Sequence, residues 1–381
     1  MIIGSSGRNP TIGKERMNGL VFTAPHEIDF RRDLPEPVVV ADRDAIVSVR
    51  LAGLCGSDLH PYTGREPMRA GTIPGHELVG TIIDAGNGMH AFSAGDLVLA
   101  PFTSSCGRCH PCRHELSARC REGALLGFRP EVGELGLDGA QAERVRIPLA
   151  DSTLVRVPPM VSEETALLLG DNFTTGWFAA ESALGVRYPS RTEQAKEMTI
   201  AVVGCGAVGL AAVSAALQLG VARVFAIDPI EERRRVAATL GAVAAHPDES
   251  AAVLARDPRT QETGGAMAVV EAVGSPAAQG LALTLVAAGG TLATVGVHTQ
   301  SAFSFSPGDL YDQNLTYRAG RAPVRSILDR LLPEVVAGRV AVPVEAMISE
   351  SAVPLAEGPD AYRRFARRAE GVRKIVFVPG S

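Results

Sequence analysis

The pattern of hydrophobic and polar positions changes at about residue 165. Before this point, short apolar runs of β type are separated by glycine and other turn residues, for example at residues 45–50, 78–83 and 96–100. Short strand-like runs between turn signals are typical of antiparallel β structure. The first part of the chain is therefore predicted to form a small, barrel-like β domain that carries functional loops.

Beyond residue 165, helical runs alternate with strands that are apolar on both faces, at residues 199–203, 223–227, 266–270 and 290–295. Such strands are buried on both sides, which is typical of a parallel sheet covered by helices. The alternation fades after about residue 312, and residues 372–378 form a strand pattern that is expected to rejoin the first domain. The polar residues 187–197 are predicted to be an exposed loop.

We therefore predict an α/β protein of two domains, for which 381 residues are sufficient. The first sixteen residues lack the apolar segment of a secretion signal and are expected to be a flexible leader before a strand at 17–22. The predicted divisions are a leader at 1–16, a β domain at 17–165, a parallel α/β domain at 166–312, and a return to the first domain at 313–381.

A glycine-rich loop joins the strand at 199–203 to a helix predicted at 210–219. Its sequence is Gly204-Cys-Gly-Ala-Val-Gly209. The glycines permit a tight turn, a close approach of the backbone to a pyrophosphate, and close packing of helix on strand. The loop therefore predicts a Rossmann dinucleotide site, although a glycine-rich turn without nucleotide is the alternative. The predicted contacts are Gly204, Gly206, Ala207, Val208 and Gly209.

Asp228 stands nineteen residues after Gly209, at the end of the next strand. A carboxylate there can accept hydrogen bonds from the adenosine ribose and repel a 2′-phosphate, so NAD is favoured over NADP. Arg233, Arg234 and Arg235 follow and could serve a phosphate, although such arginines are more often the solvated face of a helix. Cys205 is interpreted as a small buried filler.

Four of the six cysteines fall within fifteen residues: Cys106, Cys109, Cys112 and Cys120. Four thiolates complete a tetrahedral zinc shell and leave no position for a substrate, so the segment at about 104–121 is predicted to be a structural zinc lobe. A disulfide pair is the less favoured alternative, as are ligands from His110 or His114. A zinc ribbon that binds nucleic acid is also possible for this segment alone.

Charge and hydropathy narrow the classes of protein. The formal charge of −5 argues against a nucleic-acid binder, and no apolar run is long enough to span a bilayer. We therefore expect a cytoplasmic enzyme with no nucleic-acid or membrane partner.

A second group of potential ligands lies in Cys55-Gly-Ser-Asp-Leu-His60 and in Gly75-His-Glu77. Thiolate and imidazole are good zinc ligands, and a carboxylate can complete the set. A cysteine and a histidine 21 residues apart are by themselves weak support, because an isolated pair is more often structural than catalytic.

Together, the sequence around Cys55, the Gly75-His-Glu77 segment, the four-cysteine lobe and the loop at Gly204 resemble the zinc-dependent medium-chain alcohol dehydrogenases, over about residues 17–378. The resemblance implies a GroES-like catalytic domain, a Rossmann cofactor domain, and a cleft between them that holds nicotinamide beside a zinc ion. It also implies two zinc ions per chain, NAD as cofactor, and a homodimer or homotetramer.

Carried over to this sequence, the resemblance implies that Cys55 and His76 are ligands of the catalytic zinc. Asp171 matches the third position, where many relatives have cysteine; aspartate occurs there in a branch near the glutathione-independent formaldehyde dehydrogenases. The alternative for Asp171 is a helix cap, in which case Glu77 becomes the third ligand. Otherwise Glu77 tunes the zinc, and Asp58 orients His76.

The resemblance also implies a mechanism in which zinc polarises the oxygen of an alcohol and hydride passes to the nicotinamide. Ser57 matches the first station of a proton relay, and His60 matches its outer end, which passes the proton to solvent. Glu77 is grouped with these catalytic residues.

Further cofactor contacts are implied with less support. Thr175 would lie near the nicotinamide, Val273 and Val295 along the cofactor cleft, and Arg373 at the pyrophosphate. Arg233 is also predicted to contact the cofactor. Ordinary packing is the alternative for Thr175 and the valines, and a surface salt bridge for Arg373.

Two other functions compete with this interpretation. One is a zinc-free quinone or enoyl reductase, which has no need of the ligands; the other is a nucleotide-sensing protein without turnover. The substrate is predicted only as a small alcohol or aldehyde, and residues 301–306 are candidates for an edge strand between subunits.

Overall fold

The computed structural model describes residues 15–131, 136–188 and 192–380. The chain divides into two compact units. Unit 1 comprises Met1–Pro159, Ala352–Arg363 and Val376–Ser381, and unit 2 comprises Met160–Ser351 and Arg364–Ile375. Most of the predicted leader, residues 1–14, lies outside the described residues, and the first strand begins at Arg16. No helix in the described part of the chain has the length and apolar character needed to cross a membrane.

The strands are β1 (Arg16–Ala24), β2 (Glu27–Pro35), β3 (Ala45–Leu54), β4 (Leu78–Ala85), β5 (Leu97–Ala100), β6 (Arg144–Ile147), β7 (Val155–Arg156), β8 (Thr199–Val203), β9 (Arg223–Ile227), β10 (Val243–Ala245), β11 (Ala266–Glu271), β12 (Val286–Thr294), β13 (Thr316–Ala319), β14 (Glu350–Pro354) and β15 (Ile375–Val378).

The α-helices are α1 (Leu59–Tyr62), α2 (His110–Arg113), α3 (Ala150–Thr153), α4 (Glu163–Gly170), α5 (Asn172–Leu184), α6 (Ala207–Gln218), α7 (Glu231–Thr239), α8 (Ser250–Arg256), α9 (Pro258–Thr263), α10 (Pro276–Leu285), α11 (Pro307–Asp312), α12 (Val324–Val336), α13 (Val344–Met347) and α14 (Gly358–Ala366).

Unit 1 is built on a sheet whose described strands run in the order β14-β15-β3-β4-β5-β7, with β6 also paired to β3. The pairings of β3 with β4 and β6, and of β5 with β4 and β7, are antiparallel. The central strand β3 buries most of its side chains, and it pairs with β4 from Ala45 opposite Ala85 to Ala52 opposite Leu78. β1 and β2 form a separate hairpin, in which Met17 packs on Ile73 and Ala142. The predicted β domain is therefore confirmed.

Unit 2 contains a sheet in the order β10-β9-β8-β11-β12-β13, and all of its pairings are parallel. This is the 3-2-1-4-5-6 order of dinucleotide-binding sheets, whose reversal point falls between β8 and β11. All five residues of β8 are buried, as the uninterrupted apolar run predicts for a strand covered on both faces. The core beneath the sheet includes Phe225, Ile227, Val269 and Leu292.

The end of unit 2 differs from the division predicted at residue 312. β13 continues the parallel sheet beside β12, and the chain remains in unit 2 as far as Ser351. Residues 301–306 form no strand in the described chain, and β13 is the last strand on that side of the described sheet. β13 is short and mostly exposed, so it lacks the apolar run by which the other strands are recognised.

The polar stretch at 187–197 is only partly the expected loop. Residues 192–197 form a 3-10 helix, while residues 189–191 lie outside the described part. Ala195 is fully buried there, so this turn packs against unit 2.

Candidate metal centres and cofactor loop

The four cysteines of the predicted structural lobe come together in unit 1. Cys106, Cys109, Cys112 and Cys120 each offer a sulfur, and these atoms lie within 4.8 Å of one another. Cys109 Sγ is 3.5 Å from Cys112 Sγ and 3.9 Å from Cys120 Sγ. Four sulfurs at about 2.3 Å from one tetrahedral zinc ion would stand about 3.8 Å apart, so the cluster fits that ion.

Backbone amides donate hydrogen bonds to sulfur atoms of the same cluster, which favours the thiolate form of these cysteines. The amide of Cys106 donates to Cys120 Sγ at 3.1 Å, and the amide of Cys109 donates to Cys106 Sγ at 3.4 Å. The backbone N–H of Arg121 and then that of Cys112 lower the pKa of the Cys109 thiol to about 6. A thiolate is the form that binds metal, so the lowered pKa favours the metal-binding form of Cys109.

The two histidines of the lobe are not part of this sulfur cluster. The rings of His110 and His114 stack on each other with centroids 4.0 Å apart. His114 Nδ1 lies 2.8 Å from the backbone oxygen of His110, so one ring nitrogen is used locally. The four cysteine sulfurs are therefore sufficient as the ligands of this site.

The second group of ligands is assembled by the pairing of β3 with β4. Cys55 follows the last residue of β3, and His76 and Glu77 precede the first residue of β4. Since these strands are antiparallel neighbours, the two chain ends meet, and the ligand atoms of the three side chains lie within 4.8 Å of one another. Gly53 makes room for Glu77, since a Cβ on it would stand 1.7 Å from Glu77 Oε2.

Asp58 joins the two sides of this group. Its Oδ2 accepts the amide of Cys55 at 2.9 Å, and its Oδ1 lies 3.2 Å from His76 Nδ1. His76 Nε2 is thereby left as the nitrogen for a metal, and Ser57 Oγ lies 3.2 Å from it. The predicted orienting contact of Asp58 with His76 is present.

His60, which is predicted to be the outer end of a proton relay, is buried. Its side chain is only 6% exposed, and its Nδ1 is 3.9 Å from Glu66 Oε2. Burial, assisted by the positive charge of Arg65, lowers the pKa of His60 to about 4. Burial arises because α1 turns this side chain into unit 1.

Asp171 lies in unit 2, between α4 and α5, and is 6% exposed. It occupies the N-cap position of α5, but its side chain makes no capping bond to the first turn. Its carboxylate instead accepts from two side chains, Asn172 Nδ2 at 2.7 Å and Thr175 Oγ1 at 3.2 Å. The structure therefore disfavours the capping alternative.

The glycine loop follows β8, and each glycine has a distinct role. Gly204 has φ +94°, the left-handed conformation that a tight turn requires. A Cβ on Gly209 would stand 1.7 Å from the Gly204 carbonyl oxygen, so only glycine lets α6 pack against the turn. Gly206 faces open space, where the nearest atom to such a Cβ is Arg233 Nη1 at 4.0 Å. Ala207 and Val208 begin α6.

Asp228 follows β9, as predicted, and its carboxylate supports the loop. Oδ2 accepts the amide of Cys205 at 2.8 Å, and Oδ1 accepts the amide of Ile230 at 2.8 Å. Cys205 itself is fully buried, as expected for a small filler.

The three arginines after Asp228 have different environments. Arg233 is 16% exposed and 4.0 Å from Asp228 Oδ2, so the alternative of a solvated helix face does not apply to it. Arg234 donates to the backbone oxygens of Asp228 and Pro229. Arg235 is the exposed one, 3.7 Å from Glu231.

The remaining predicted cofactor residues all lie in unit 2. Val273 follows β11 and its methyl group abuts Gly204, while Val295 follows β12 and is half-buried. Thr175 is buried and bonded to Asp171. Arg373 forms an ion pair with Glu232 and is 13% exposed, so it is a mostly buried pair rather than a surface one.

Two residues near the ligands were missed by the sequence analysis. Gln141 and Tyr362 form a hydrogen bond at 2.8 Å in unit 1, and Gln141 also lies 3.4 Å from Asp58 Oδ2. Gln141 is 221 residues away from Tyr362 along the chain and 83 residues away from Asp58, and neither Gln141 nor Tyr362 belongs to a motif. No local signal could have identified them.

Fold and site together define a zinc-binding dehydrogenase, and comparison with known proteins agrees. The sequence model of the alcohol dehydrogenase GroES-like domain matches residues 41–159, and that of the zinc-binding dehydrogenase family matches residues 207–331. The chain therefore belongs to the zinc-dependent medium-chain dehydrogenase family and is an oxidoreductase of the alcohol dehydrogenase type.

Individual relatives cover most of the chain. Zinc-type alcohol dehydrogenase B of Aspergillus flavus is 34% identical over 368 residues, which is 96% of this chain and 82% of that protein. Medium chain reductase/dehydrogenase ucsI of Acremonium sp. is 40% identical over 301 residues, 78% of this chain and 98% of that protein. The solved alcohol dehydrogenase TADH from Thermus sp. ATN1 superposes with a TM-score of 0.83 at 34% identity, covering 95% of this chain and 99% of that one.

Proposed function

We propose that the protein transfers hydride between a small alcohol and NAD, at a zinc ion held by Cys55, His76 and Asp171. The observation that carries the proposal is the convergence of the Cys55 thiol and the His76 imidazole, with the Glu77 carboxylate beside them, at the paired ends of β3 and β4. A mixed donor set with a position left for substrate is typical of catalytic zinc, in contrast to the all-sulfur lobe.

Asp171 is assigned as the third ligand on its chemistry and surroundings. It is a buried carboxylate at the junction of two helices, and it makes no capping bond there. Burying a carboxylate is costly unless partners compensate its charge, and a divalent cation does so directly. The proposal includes membership of the branch of the family that has a carboxylate as the third ligand, with Glu77 as a neighbouring carboxylate.

The protein's own residues would move the proton of the alcohol. When bound, zinc supplies Lewis-acid polarisation of the substrate oxygen. Ser57, whose hydroxyl lies beside His76 Nε2, is placed to accept the proton from a substrate at this site. His60 is kept neutral by its low pKa, so it can receive a proton only transiently and must pass it on.

NAD is the proposed cofactor because Asp228 places a carboxylate beside the glycine loop. Its negative charge would oppose the 2′-phosphate of NADP, while Arg233 would attract one. The Asp228 carboxylate is closer to the loop than the Arg233 guanidinium is, because it accepts a hydrogen bond from the Cys205 amide. Thr175, Val273, Val295 and Arg373 remain proposed contacts of the same cofactor.

The test is a set of initial rates with NAD and NADP in parallel, over primary, secondary and benzylic alcohols, polyols and hydrated aldehydes. We expect turnover with at least one alcohol class, a preference for NAD, and two zinc ions per chain by mass spectrometry. Asp228→Ser is the matched variant and should move the preference towards NADP. Turnover without a second zinc ion, or a parent that prefers NADP, would contradict the proposal. Sizing the same sample tests the expected homodimer or homotetramer.

A further inference from the structure

We propose that Gln141 and Tyr362 are positioning residues for the catalytic zinc, which they serve by holding the Asp58 carboxylate between Cys55 and His76. This inference rests on the function proposed above. The side chain of Gln141 lies 3.4 Å from Asp58 Oδ2, and Tyr362 donates a hydrogen bond to Gln141 at 2.8 Å. They act through Asp58, whose carboxylate contacts both sides of the ligand group.

The two oxygens of the Asp58 carboxylate contact different sides of the ligand group. Oδ1 faces His76 Nδ1, so the imidazole presents Nε2 to the metal. Oδ2 receives the Cys55 amide at 2.9 Å and the Gln141 side chain at 3.4 Å. A rotation of this carboxylate would therefore disturb the thiol loop and the imidazole together.

The orientation of the Gln141 amide follows from the chemistry of its neighbours. One end of the amide faces the Gly53 carbonyl at 3.1 Å and Asp58 Oδ2 at 3.4 Å. Both of these groups are acceptors, so this end must be the NH₂ group. The carbonyl end then faces Tyr362, and the phenol must donate to it at 2.8 Å.

Tyr362 is well suited to be a permanent donor. It is fully buried, and burial together with the negative charge of Asp58 raises the pKa of the phenol well above its ordinary value of 10. The hydroxyl therefore keeps its proton at any working pH. Because it can offer that proton to Gln141, it prevents the amide from flipping and turning its oxygen towards Asp58.

Close packing leaves these side chains little freedom. Gly75, next to His76, has φ +94°, and a Cβ on it would stand 2.6 Å from Gln141 Cγ. At the other end, a Cβ on Gly358 would stand 2.4 Å from Leu20, so α14 and its Tyr362 lie close against β1. The last helix of unit 1 is thereby connected to the ligand loop.

The experiment measures zinc affinity at the catalytic site rather than turnover. Tyr362→Phe removes only the hydroxyl, and Gln141→Met keeps the length of the side chain but removes its hydrogen bonds. Removing outer-shell partners of zinc ligands typically weakens affinity by about 10–100-fold. We expect roughly 10-fold weaker zinc binding for Gln141→Met and a smaller loss for Tyr362→Phe, by competition with a chelator. The visible spectrum of the cobalt(II)-substituted protein should change in both.

A matched control separates positioning from stability. Tyr188 in unit 2 donates its hydroxyl to Glu334 Oε2 at 3.0 Å, so Tyr188→Phe also removes one tyrosine hydrogen bond. We expect this control to change the melting temperature about as much as Tyr362→Phe, while its zinc affinity and cobalt spectrum remain those of the parent. Occupancy of the four-cysteine lobe should stay constant in every variant.

A double variant tests whether Tyr362 acts on the zinc site through Gln141. If Tyr362 acts only through Gln141, Gln141→Met with Tyr362→Phe should bind zinc as weakly as Gln141→Met alone. Unchanged affinity and spectrum in both single variants, or fully additive losses, would overturn the inference. A parent protein that binds zinc only in the four-cysteine lobe would instead refute the proposed function itself. Should Gln141→Met fail to fold, Tyr362→Phe alone decides the outcome.

Discussion

Gly209 lies so close to Gly204 that the carbonyl oxygen of Gly204 occupies the space where a side chain of Gly209 would begin. A Cβ added to Gly209 would stand 1.7 Å from that oxygen. The first turn of α6 is thus packed against the turn that follows β8. Helix N-termini in this arrangement bind phosphates.

Gly209→Ala should therefore displace α6 and destroy nucleotide binding. Because the overlapping atom belongs to the backbone, the overlap can be removed only by moving the turn or the helix. We therefore expect loss of measurable NAD binding by calorimetry together with a lower melting temperature. Gly206→Ala is the control, because its Cβ would meet open space. It should fold with the parent's melting temperature and only weaken NAD binding. A Gly209→Ala protein that binds NAD normally would show that the turn differs from the one described.

Cys109→Ser should destabilise the protein rather than act on turnover alone. Structural zinc contributes directly to folding, and serine is a poor ligand. We expect one zinc ion fewer per chain, lower soluble yield and a lower melting temperature. His114→Ala is the control, since this histidine stacks on His110 and should keep the parent's zinc content. A Cys109→Ser protein with parental stability but no activity would mean that the two zinc sites have been assigned the wrong way round.

Acid should destabilise the folded protein partly through His60. The pKa of His60 is about 4 in the folded state, because of burial, against 6.5 for an ordinary histidine. The unfolded chain then takes up a proton near pH 6.5 that the folded chain refuses until about pH 4. The contribution to stability is complete above pH 6.5 and is lost as the pH falls, by roughly 2 kcal/mol at pH 5.

Urea unfolding of the parent and of His60→Gln at pH 7 and pH 5 measures this contribution. The variant has no titrating group at the position, so its stability should fall less between the two values. The difference between the two proteins is the relevant quantity, because other groups titrate in both. Equal losses of stability in the parent and in the variant would show that folding does not lower the pKa of His60.

Asp171→Ala should collapse turnover and lower the zinc content towards one ion per chain. The reason is that Cys55 and His76 would leave zinc short of a protein donor. Asp171→Cys should keep two zinc ions, since thiolate is the commoner ligand. The measurements are zinc content and turnover with NAD.

Ser162→Ala shows what loss of a true helix cap would cost. Ser162 caps α4 by accepting the amide of Thr165 at 3.2 Å, and its removal should cost about 1 kcal/mol with turnover intact. If Asp171→Ala behaves like Ser162→Ala and retains both zinc ions, Glu77 becomes the third ligand.

The sequence by itself determined the features that depend on neighbours along the chain. The buried strands β8 and β9 coincide with their apolar runs, because a strand covered on both faces needs apolar side chains at every position. The four cysteines and the glycine loop were also recognisable, since ligand spacing and phosphate binding impose short, regular patterns.

The tertiary structure alone decided features that depend on distant segments. β13 is an exposed edge strand, and its place in the sheet comes from hydrogen bonds to β12 rather than from an apolar run. The burial of His60 and the bonds of Asp58 with Gln141 arise from packing across the fold. Tyr362 reaches Gln141 from 221 residues away, and such a contact leaves no spacing in the sequence, because each partner is specified only by the shape and polarity of its surroundings.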